Sequence, residues 1–204
     1  MNNIERILSE SGIYPVAGVD EAGRGACAGP LVVAAVILRD PFAEELTPVR
    51  DSKELSENQR EKLFDLIVDH ALAISIIEIS PTEIDHRGVH AANLDGMRRA
   101  VQGLEVIPSY VLTDGYAIAG IGIPALGVWK GDQVVHAISA ASIIAKVTRD
   151  RIMRGLHVIH PNFGFDRHKG YITPAHTQAL EDFGILDIHR KSYANIDAII
   201  NRIT

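Results

Sequence analysis

Four acidic residues are the side chains of this sequence whose types and positions best suit catalysis. Asp20 and Glu21 are adjacent near the end of a predicted strand, and Asp114 ends another predicted strand in Thr-Asp-Gly-Tyr. Asp132 follows in a Lys-Gly-Asp turn. Because Mg²⁺ and Mn²⁺ prefer carboxylate oxygens, the four acids together indicate a site for a hard divalent cation. Two such ions activate a water molecule and stabilise the leaving oxygen of a phosphodiester.

Each of these acids also has a structural explanation. An acidic pair at a strand end can face water, an acid before glycine is common in turns, and Asp132 is placed to cap the helix predicted after it. In a regular strand the side chains of Asp20 and Glu21 point to opposite faces, so a twist or bulge would have to aim both at one site. Taken singly, each acid favours the structural explanation, and only the set of four favours a metal site.

A glycine-rich loop, Gly23-Arg24-Gly25, follows the acidic pair directly. Glycines let a backbone approach a ligand closely and present N–H groups to phosphate. One alternative is a dinucleotide-binding turn, which requires Gly-x-Gly-x-x-Gly between a strand and a helix. Ala28 stands at the third glycine position and a strand is predicted next, which argues against that alternative. A hairpin loop without a ligand remains open.

Cysteine and histidine give weaker signals. The histidines lack a helical metal pair such as His-Glu-x-x-His, and the single cysteine, Cys27, cannot complete a zinc site. We expect Cys27 to be a small buried side chain and most histidines to be structural. His168-Lys169-Gly170-Tyr171 differs, because a base, a glycine and an aromatic ring together suit a contact with a nucleic-acid backbone and sugar.

The charge distribution allows a polyanionic partner despite a net charge of −6. Residues 1–129 hold 10 Lys and Arg against 19 Asp and Glu, whereas residues 130–191 hold 9 against 6. A basic C-terminal third can form a local footprint for nucleic acid. From charge alone, ordinary surface scatter is the favoured explanation.

Composition predicts a cytoplasmic protein with one domain over residues 1–204. The chain is long enough to bury a core, and its 47% hydrophobic and 23% charged residues are typical of globular proteins. Its longest nearly apolar run, Leu31–Leu38, is far shorter than the roughly 20 residues of a membrane span. The polar start over residues 1–6 predicts no signal peptide, and one cysteine excludes an intrachain disulfide.

The hydrophobic pattern predicts a mixed α/β domain, with strands early and helices alternating later. Strands are predicted at Val16–Ala22, Leu31–Leu38, Ala71–Ile79, 108–115 and 125–129. Capping signals at Ser56 and Ser80 predict two helices, the first ending near His70 and the second running through Met97 towards Gly103. Apolar spacing predicts a third helix over 134–154, and Thr173-Pro174 begins the last clear one, which Gly184 ends.

Long stretches of the sequence resemble ribonuclease HII. The matches open with Val-Ala-Gly-Val-Asp-Glu-Ala-Gly-Arg-Gly at 16–25 and Ala-Gly-Pro-Leu-Val-Val-Ala-Ala at 28–35. They continue, in the family's order, at 51–55, 113–115, 130–132, 138–150, 164–171 and 188–192. Because they extend from about residue 14 to 193, the resemblance is highly specific.

The resemblance implies the ribonuclease H-like fold, a five-stranded mixed sheet flanked by helices with a helical C-terminal portion. It implies that Asp20, Glu21, Asp114 and Asp132 are catalytic and bind Mn²⁺ or Mg²⁺. It also implies an endonuclease that hydrolyses the RNA strand of RNA–DNA hybrids and cuts 5′ to ribonucleotides embedded in a DNA duplex. The expected products carry 3′-hydroxyl and 5′-phosphate ends. We expect a monomer that does not engage a membrane.

The resemblance further implies a set of substrate-binding residues. The Gly-Arg-Gly loop and Tyr171 are expected to read the RNA–DNA junction, and Lys146, Arg149 and Lys169 are candidate phosphate contacts. The full set of expected substrate-binding residues is Gly23, Arg24, Gly25, Lys53, Ser139, Lys146, Lys169 and Tyr171. Asp150 also lies in a family-like segment, but Lys146 four residues earlier offers it an ion pair, so Asp132 is favoured as the fourth ligand.

Two alternatives and two departures from the family pattern bear on function. Ribonuclease HIII has an additional N-terminal domain, for which residues 1–15 leave no room. A nucleic-acid-binding module without chemistry is disfavoured, because four bare carboxylates would repel a phosphate backbone. Ala26-Cys27 stands where many members have Pro-Leu or Pro-Trp, and Gly-Ile-Leu-Asp at 184–187 replaces the common Gly-Pro-Ser-Pro. The first departure touches the junction loop, so it bears on substrate preference.

Overall fold

Five strands form one mixed sheet in the computed structural model, which describes residues 4–203. The strands are β1 (Val16–Ala22), β2 (Leu31–Leu38), β3 (Ala71–Ile79), β4 (Tyr110–Asp114) and β5 (Ala125–Val128). Their order across the sheet is β3-β2-β1-β4-β5, with β1 antiparallel to β2 and parallel to β4. The predicted five-stranded mixed sheet is confirmed.

Helices cover both faces of this sheet and build the C-terminal part of the chain. They are α1 (Ile4–Glu10), α2 (Glu57–His70), α3 (Pro81–Arg87), α4 (Val89–Gln102), α5 (His136–Ile159), α6 (Phe165–His168), α7 (Pro174–Phe183) and α8 (Ala194–Ile203). Within residues 4–203, no helix is both long enough and apolar enough to cross a bilayer.

Strand β2 lies at the centre of the core because both of its faces are buried. Val32, Ala34 and Val36 point towards α5 and α2, whereas Leu31 and Val33 point towards α4. The continuous apolar run of β2 is therefore what a strand needs when helices cover both sides of its sheet.

The long helix α5 packs unusually close to β1. A Cβ atom on Gly18 of β1 would lie 2.1 Å from the backbone carbonyl carbon of Ala137, so only glycine allows this approach. The first turn of α5 is capped from α1, because the Glu5 carboxylate accepts hydrogen bonds from the backbone N–H groups of His136 (2.9 Å) and Ala137 (3.2 Å). Both contacts fix α5 against the strand that carries the acidic pair.

Three predicted boundaries are corrected by the structure. The helix predicted from Ser80 towards Gly103 is two helices, since Gly88 adopts a left-handed φ of 76° between them. The third predicted helix begins later and ends later than expected, at His136 and Ile159. Asp132 consequently lies in a separate 3-10 turn, Gly131–Gln133, instead of capping that helix.

Candidate active site

Three carboxylates converge at the ends of the parallel strands β1 and β4. Asp20 lies near the end of β1 and Asp114 is the last residue of β4, while Asp132 comes from the 3-10 turn that follows β5. One carboxylate oxygen from each of the three lies within 4.8 Å of the others. Carboxylate oxygens at this spacing are the ligand set that a hard divalent cation requires.

Hydrogen bonds hold the turn that brings Asp132 into this cluster. Lys130 adopts a left-handed φ of 52°, and the backbone N–H of Gly131 then donates to Asp114 Oδ1 at 2.8 Å. The buried Ser139 hydroxyl donates to the carbonyl oxygen of Asp132 at 2.8 Å. The turn is thus attached both to the end of β4 and to the first turns of α5.

Glu21 approaches the site from the other face of the sheet. The pairing of β1 with β2 continues without a bulge through Ala22, so Asp20 faces α5 and Glu21 faces α4. Glu21 still lines the same cavity as Asp20 and Asp114, because all three stand where the strands end. Neither a bulge nor a change of register is needed to bring the pair to one cavity.

The electrostatics of the cluster favour a positive ligand. Burial raises the pKa of Asp20 well above its usual range, and the charges of Glu21 and Asp114 raise it further. Burial also raises the pKa of Asp114, and the hydrogen bond from the Gly131 N–H, which lowers this pKa, only partly offsets the rise. Only Lys53 among the described residues forms an ion pair with the cluster, with its Nζ 2.9 Å from Asp132 Oδ2. A cation between the carboxylates would relieve this repulsion.

Asn93 on α4 is a buried polar neighbour of Glu21. Burial raises the pKa of the Glu21 carboxyl, and the Asn93 amide and the Arg24 guanidinium oppose that rise. Asn93 is fully buried and forms no hydrogen bond of regular geometry within residues 4–203. The sequence does not predict that Asn93 is buried, because nothing in its local pattern distinguishes it from other polar residues of a helix.

Two buried arginines shape the Gly-Arg-Gly loop. Arg149 donates to the carbonyl oxygens of Ala28, Pro30 and Lys169 at 2.9–3.0 Å. Arg190 donates to the carbonyl oxygen of Arg24 at 3.0 Å, and to that of Gly29. Both guanidinium groups thereby satisfy the carbonyl groups of a loop that has no regular secondary structure of its own.

The two glycines of this loop have different local requirements. Gly23 has a left-handed φ of 90°, and a Cβ there would lie 1.8 Å from Arg149 Nε. A Cβ on Gly25 would meet only Tyr171 Cε1, at an ordinary 3.8 Å. Gly23 is therefore required by the fold, whereas the space at Gly25 opens towards the cavity that the loop and Tyr171 line.

A pair of buried histidines holds the backbone of Tyr171. Because His176 Nδ1 faces a carbonyl oxygen, neutral His176 accepts through Nε2 from His189 Nε2 at 3.2 Å, and His189 Nδ1 accepts from the Leu186 N–H at 2.9 Å. His176 Nδ1 then donates to the carbonyl oxygen of Tyr171 at 3.0 Å. Burial lowers the pKa of both histidines to about 4, so they are neutral at pH 7.

The cationic residues expected to bind substrate divide into two groups. Lys53 and Lys146 line the cavity beside the acids. The prediction that Arg149 contacts phosphate is wrong, because this side chain is fully buried and donates to backbone carbonyl oxygens. Lys169 and Ser139 are also directed inward: Lys169 Nζ donates to the carbonyl oxygen of Asp166 at 2.5 Å, and the Ser139 hydroxyl is taken up by the turn below Asp132.

Asp150 stands apart from the acidic cluster. Its carboxylate accepts a hydrogen bond from Lys146 Nζ at 2.6 Å and lies 3.7 Å from Arg60, in a buried setting on α5. The ion pair predicted with Lys146 is present, and Asp150 therefore has a structural role in the packing of α2 against α5.

Fold and site together define a nuclease of the ribonuclease H-like class, and the acidic cluster at the ends of its central strands fits a divalent metal ion. The family model for Ribonuclease HII matches residues 17–196, and the chain belongs to that family. It is accordingly a ribonuclease that cuts RNA strands internally.

Relatives and solved structures agree with this assignment. The Ribonuclease HII of Frankia alni is 56% identical over 195 residues, which cover 95% of this chain and 81% of that protein. The crystal structure of ribonuclease H2 from Pyrococcus horikoshii OT3 superimposes with a TM-score of 0.81 at 30% identity, covering 93% of this chain and 98% of that one. Bst-RNase HIII, solved with Mn²⁺, shares the fold at a TM-score of 0.68 and 17% identity, with coverage of 93% and 70%.

Proposed function

We propose that this ribonuclease cuts the RNA strand of RNA–DNA hybrids and also cuts 5′ to single ribonucleotides embedded in duplex DNA. The observation that carries the proposal is the position of the acidic cluster. Asp20, Glu21 and Asp114 line one cavity of about 220 Å³ together with the Gly-Arg-Gly loop and Tyr171. A group that hydrolyses phosphodiesters and a backbone loop able to contact a ribose therefore face the same space.

The chemistry of the donor set fits Mg²⁺ or Mn²⁺, held by Asp20, Asp114 and Asp132, with Glu21 lining the same cavity. Asp20 and Asp132 are buried, Asp114 is partly buried, and the three lie close together, an arrangement that is costly without a compensating cation. A pair of such ions supplies an activated water and stabilisation of the leaving oxygen. Mn²⁺ in the structure of Bst-RNase HIII supports this choice of ion.

The protein groups around the acids position the substrate in this proposal. Lys53 and Lys146 neutralise phosphates on either side of the scissile bond. The loop backbone at Gly25 contacts the 2′-hydroxyl of the ribonucleotide, the only group that distinguishes it from a deoxyribonucleotide. The Tyr171 ring packs against the next sugar, and its own backbone is fixed by His176.

The test compares end-labelled duplexes of one sequence that contain no ribonucleotide, one ribonucleotide or an RNA strand. With Mg²⁺ or Mn²⁺ we expect cleavage of the second and third duplexes, a cut 5′ to the single ribonucleotide, and a 3′ end that a DNA polymerase extends. Excess EDTA should abolish cleavage, and added Mn²⁺ should restore it.

Two results would overturn the proposal. Undiminished cleavage in excess EDTA would remove the metal-dependent mechanism. Cleavage of the all-DNA duplex at the same rate as the duplex with one ribonucleotide would remove recognition of the ribose. Cleavage of the RNA–DNA hybrid alone would limit the proposal to its first half.

A further inference from the structure

Trp129 is an exposed aromatic residue beside the acidic cluster. It is the single tryptophan of the sequence and is 81% exposed. It lines a second cavity, of about 460 Å³, whose wall also includes Asp132, Tyr116 and Lys130. The indole is not an isolated exposed side chain, because Tyr116, 37% exposed, lines the same cavity and adds a second aromatic ring to it.

The second cavity adjoins the first. Glu21, Arg24, Lys53 and Asp114 line both cavities. Tyr171 lines only the first and Trp129 only the second, so the two rings flank the residues that the cavities share. A strand that extends past the acids from the Tyr171 cavity therefore enters the cavity of Trp129.

The turn that carries Asp132 also fixes the position of Trp129. The ladder between β4 and β5 ends with Asp114 opposite Val128, directly before the tryptophan. On the other side, Lys130 takes its left-handed conformation and Gly131 donates to Asp114. Because Val128 pairs with Asp114 and Gly131 donates to it, the backbone of Trp129 between them keeps a defined distance from the acids.

The rest of this wall has the chemistry of a nucleic-acid contact. The Arg24 guanidinium lies 4.8 Å from the centre of the Tyr116 ring and donates to its hydroxyl at 2.8 Å. Lys53 and Lys130 add positive charge along the same wall. Aromatic rings beside cations bind nucleotides by stacking on bases or packing on sugars while the cations neutralise phosphates.

We infer that Trp129 forms a second substrate subsite, in which the indole packs against a nucleotide flanking the scissile phosphate on the side away from Tyr171. The inference rests on the proposed function, since it uses the same substrate and the same acids. The ligand is a nucleotide of the bound duplex, and the contribution of the indole is to binding and not to the chemical step.

Intrinsic fluorescence tests the inference directly, because Trp129 is the only tryptophan. Wild-type protein is titrated with the duplex containing one ribonucleotide in Ca²⁺, and binding is followed independently by the anisotropy of a label on the duplex. We expect the tryptophan emission to change in parallel with the anisotropy. Trp129→Ala should raise Kd roughly tenfold, the strength of one aromatic contact, while kcat in Mg²⁺ stays near wild type.

Two further variants serve as controls. Trp129→Phe keeps an aromatic face and should recover most of the affinity. Ile107→Ala removes an equally exposed apolar side chain, 80% exposed and outside both cavities, and should leave Kd unchanged. Circular dichroism checks that each variant is folded, as expected for substitutions at exposed positions.

The outcomes separate this inference from the proposed function. If the wild type cuts the duplex and binding leaves the emission unchanged, or if Trp129→Ala binds as tightly as wild type, the second subsite is refuted and the proposed function stands. If the wild type does not cut any ribonucleotide-containing duplex with Mg²⁺ or Mn²⁺, the proposed function fails, and the inference fails with it.

Discussion

At the scale of single residues, two aspartates close in sequence have opposite surroundings. Asp132 lies close to Asp20 and Asp114, and a bound cation would reduce the repulsion among these three negative charges. Asp150 lies between Lys146 and Arg60, two cations that compensate its negative charge. The first arrangement is costly without a ligand, whereas the second places a buried acid beside opposite charges.

Asp132→Asn should lower kcat by at least about a hundredfold, because an expected metal ligand is removed. It should leave stability near that of wild type, because the lost repulsion from Asp20 and Asp114 offsets the lost ion pair with Lys53. Asp150→Asn should instead lower stability by about 1–3 kcal/mol, since it weakens the buried contacts with Lys146 and Arg60, and retain most activity. Steady-state cleavage and urea unfolding measure both quantities. The reverse pattern would transfer the catalytic role to Asp150.

The loop glycines provide a second test at this scale. Gly25→Ala adds a methyl group without a clash in the free protein, so we expect normal stability and a reduced preference for the ribonucleotide duplex over DNA. Gly23→Ala should unfold at a lower temperature, because its methyl group meets Arg149 and its φ is left-handed. Relative cleavage rates on duplexes with and without one ribonucleotide measure the preference of Gly25→Ala. Unchanged preference in Gly25→Ala would show that this backbone does not contact the 2′-hydroxyl.

At the scale of elements, the site depends on how closely α5 lies against β1. The acidic pair is on β1, while Ser142 and Lys146 of the same cavity are on α5, so the separation of these two elements sets the width of the cavity. Gly18 permits that separation, and Glu5 of α1 fixes the beginning of α5.

Gly18→Ala should destabilise the protein by about 3 kcal/mol or more, because the new methyl group meets the backbone of Ala137 and neither element can move cheaply. Gly155→Ala is the matched control on α5, since a Cβ there meets nothing within 4 Å. It should stabilise the helix by about 0.5–1 kcal/mol. Urea denaturation of the two variants compares them, and equal stabilities would contradict the close packing.

At the scale of the whole molecule, the C-terminal helices form a third core that reaches the active site through the histidine pair. Phe163, Phe165 and Leu180 pack there with Cys27, which follows the Gly-Arg-Gly loop. His189 and His176 connect the segment after α7 to the backbone of Tyr171. The backbone of Tyr171 is thus held by a series of contacts that reaches beyond α7 to His189. The monomeric state and the single domain over residues 1–204 stay predictions.

The histidine pair makes a definite contribution to the pH dependence of stability. The folded pKa values of about 4 lie below the ordinary 6.5, so between pH 6.5 and 4 the unfolded chain binds protons that the folded chain does not. This contribution is complete above pH 6.5 and is lost as the pH falls. The raised pKa values of Asp20 and Glu21 act in the opposite direction, because acid neutralises carboxylates whose charged form is penalised first by burial and then by neighbouring acids.

His189→Gln should therefore lose less stability than wild type when the pH is lowered from 7 to 5. Urea unfolding in EDTA measures this difference without interference from metal binding. His86→Gln changes an exposed histidine and should follow the wild-type pH profile. If His189→Gln has the same pH profile as wild type, the pair is not held neutral by burial.

Local patterns in the sequence were sufficient to predict the five strands, the first capped helix and the acids at the strand ends. Strands β1 and β2 were readable because alternation and apolar runs depend only on neighbouring residues. The capping box at Ser56 was predictable for the same reason, because its two hydrogen bonds join residues only three apart in the chain, and the structure confirms it. The family resemblance then supplied the grouping of distant acids that periodicity alone left open.

Tertiary structure decided which charged residues line the cavity of the acidic cluster and which are buried beneath it. Arg149 has the side chain of a phosphate ligand, yet its N–H groups donate to the carbonyl oxygens of Ala28, Pro30 and Lys169, which only the folded chain brings near. Helices α1 and α8 were not predicted from the sequence, because helices this short depend on packing for their stability. Asp132 joins the cluster because a left-handed Lys130 and a hydrogen bond to Asp114 direct its turn there. These contacts join residues far apart in the chain, so no local spacing encodes them.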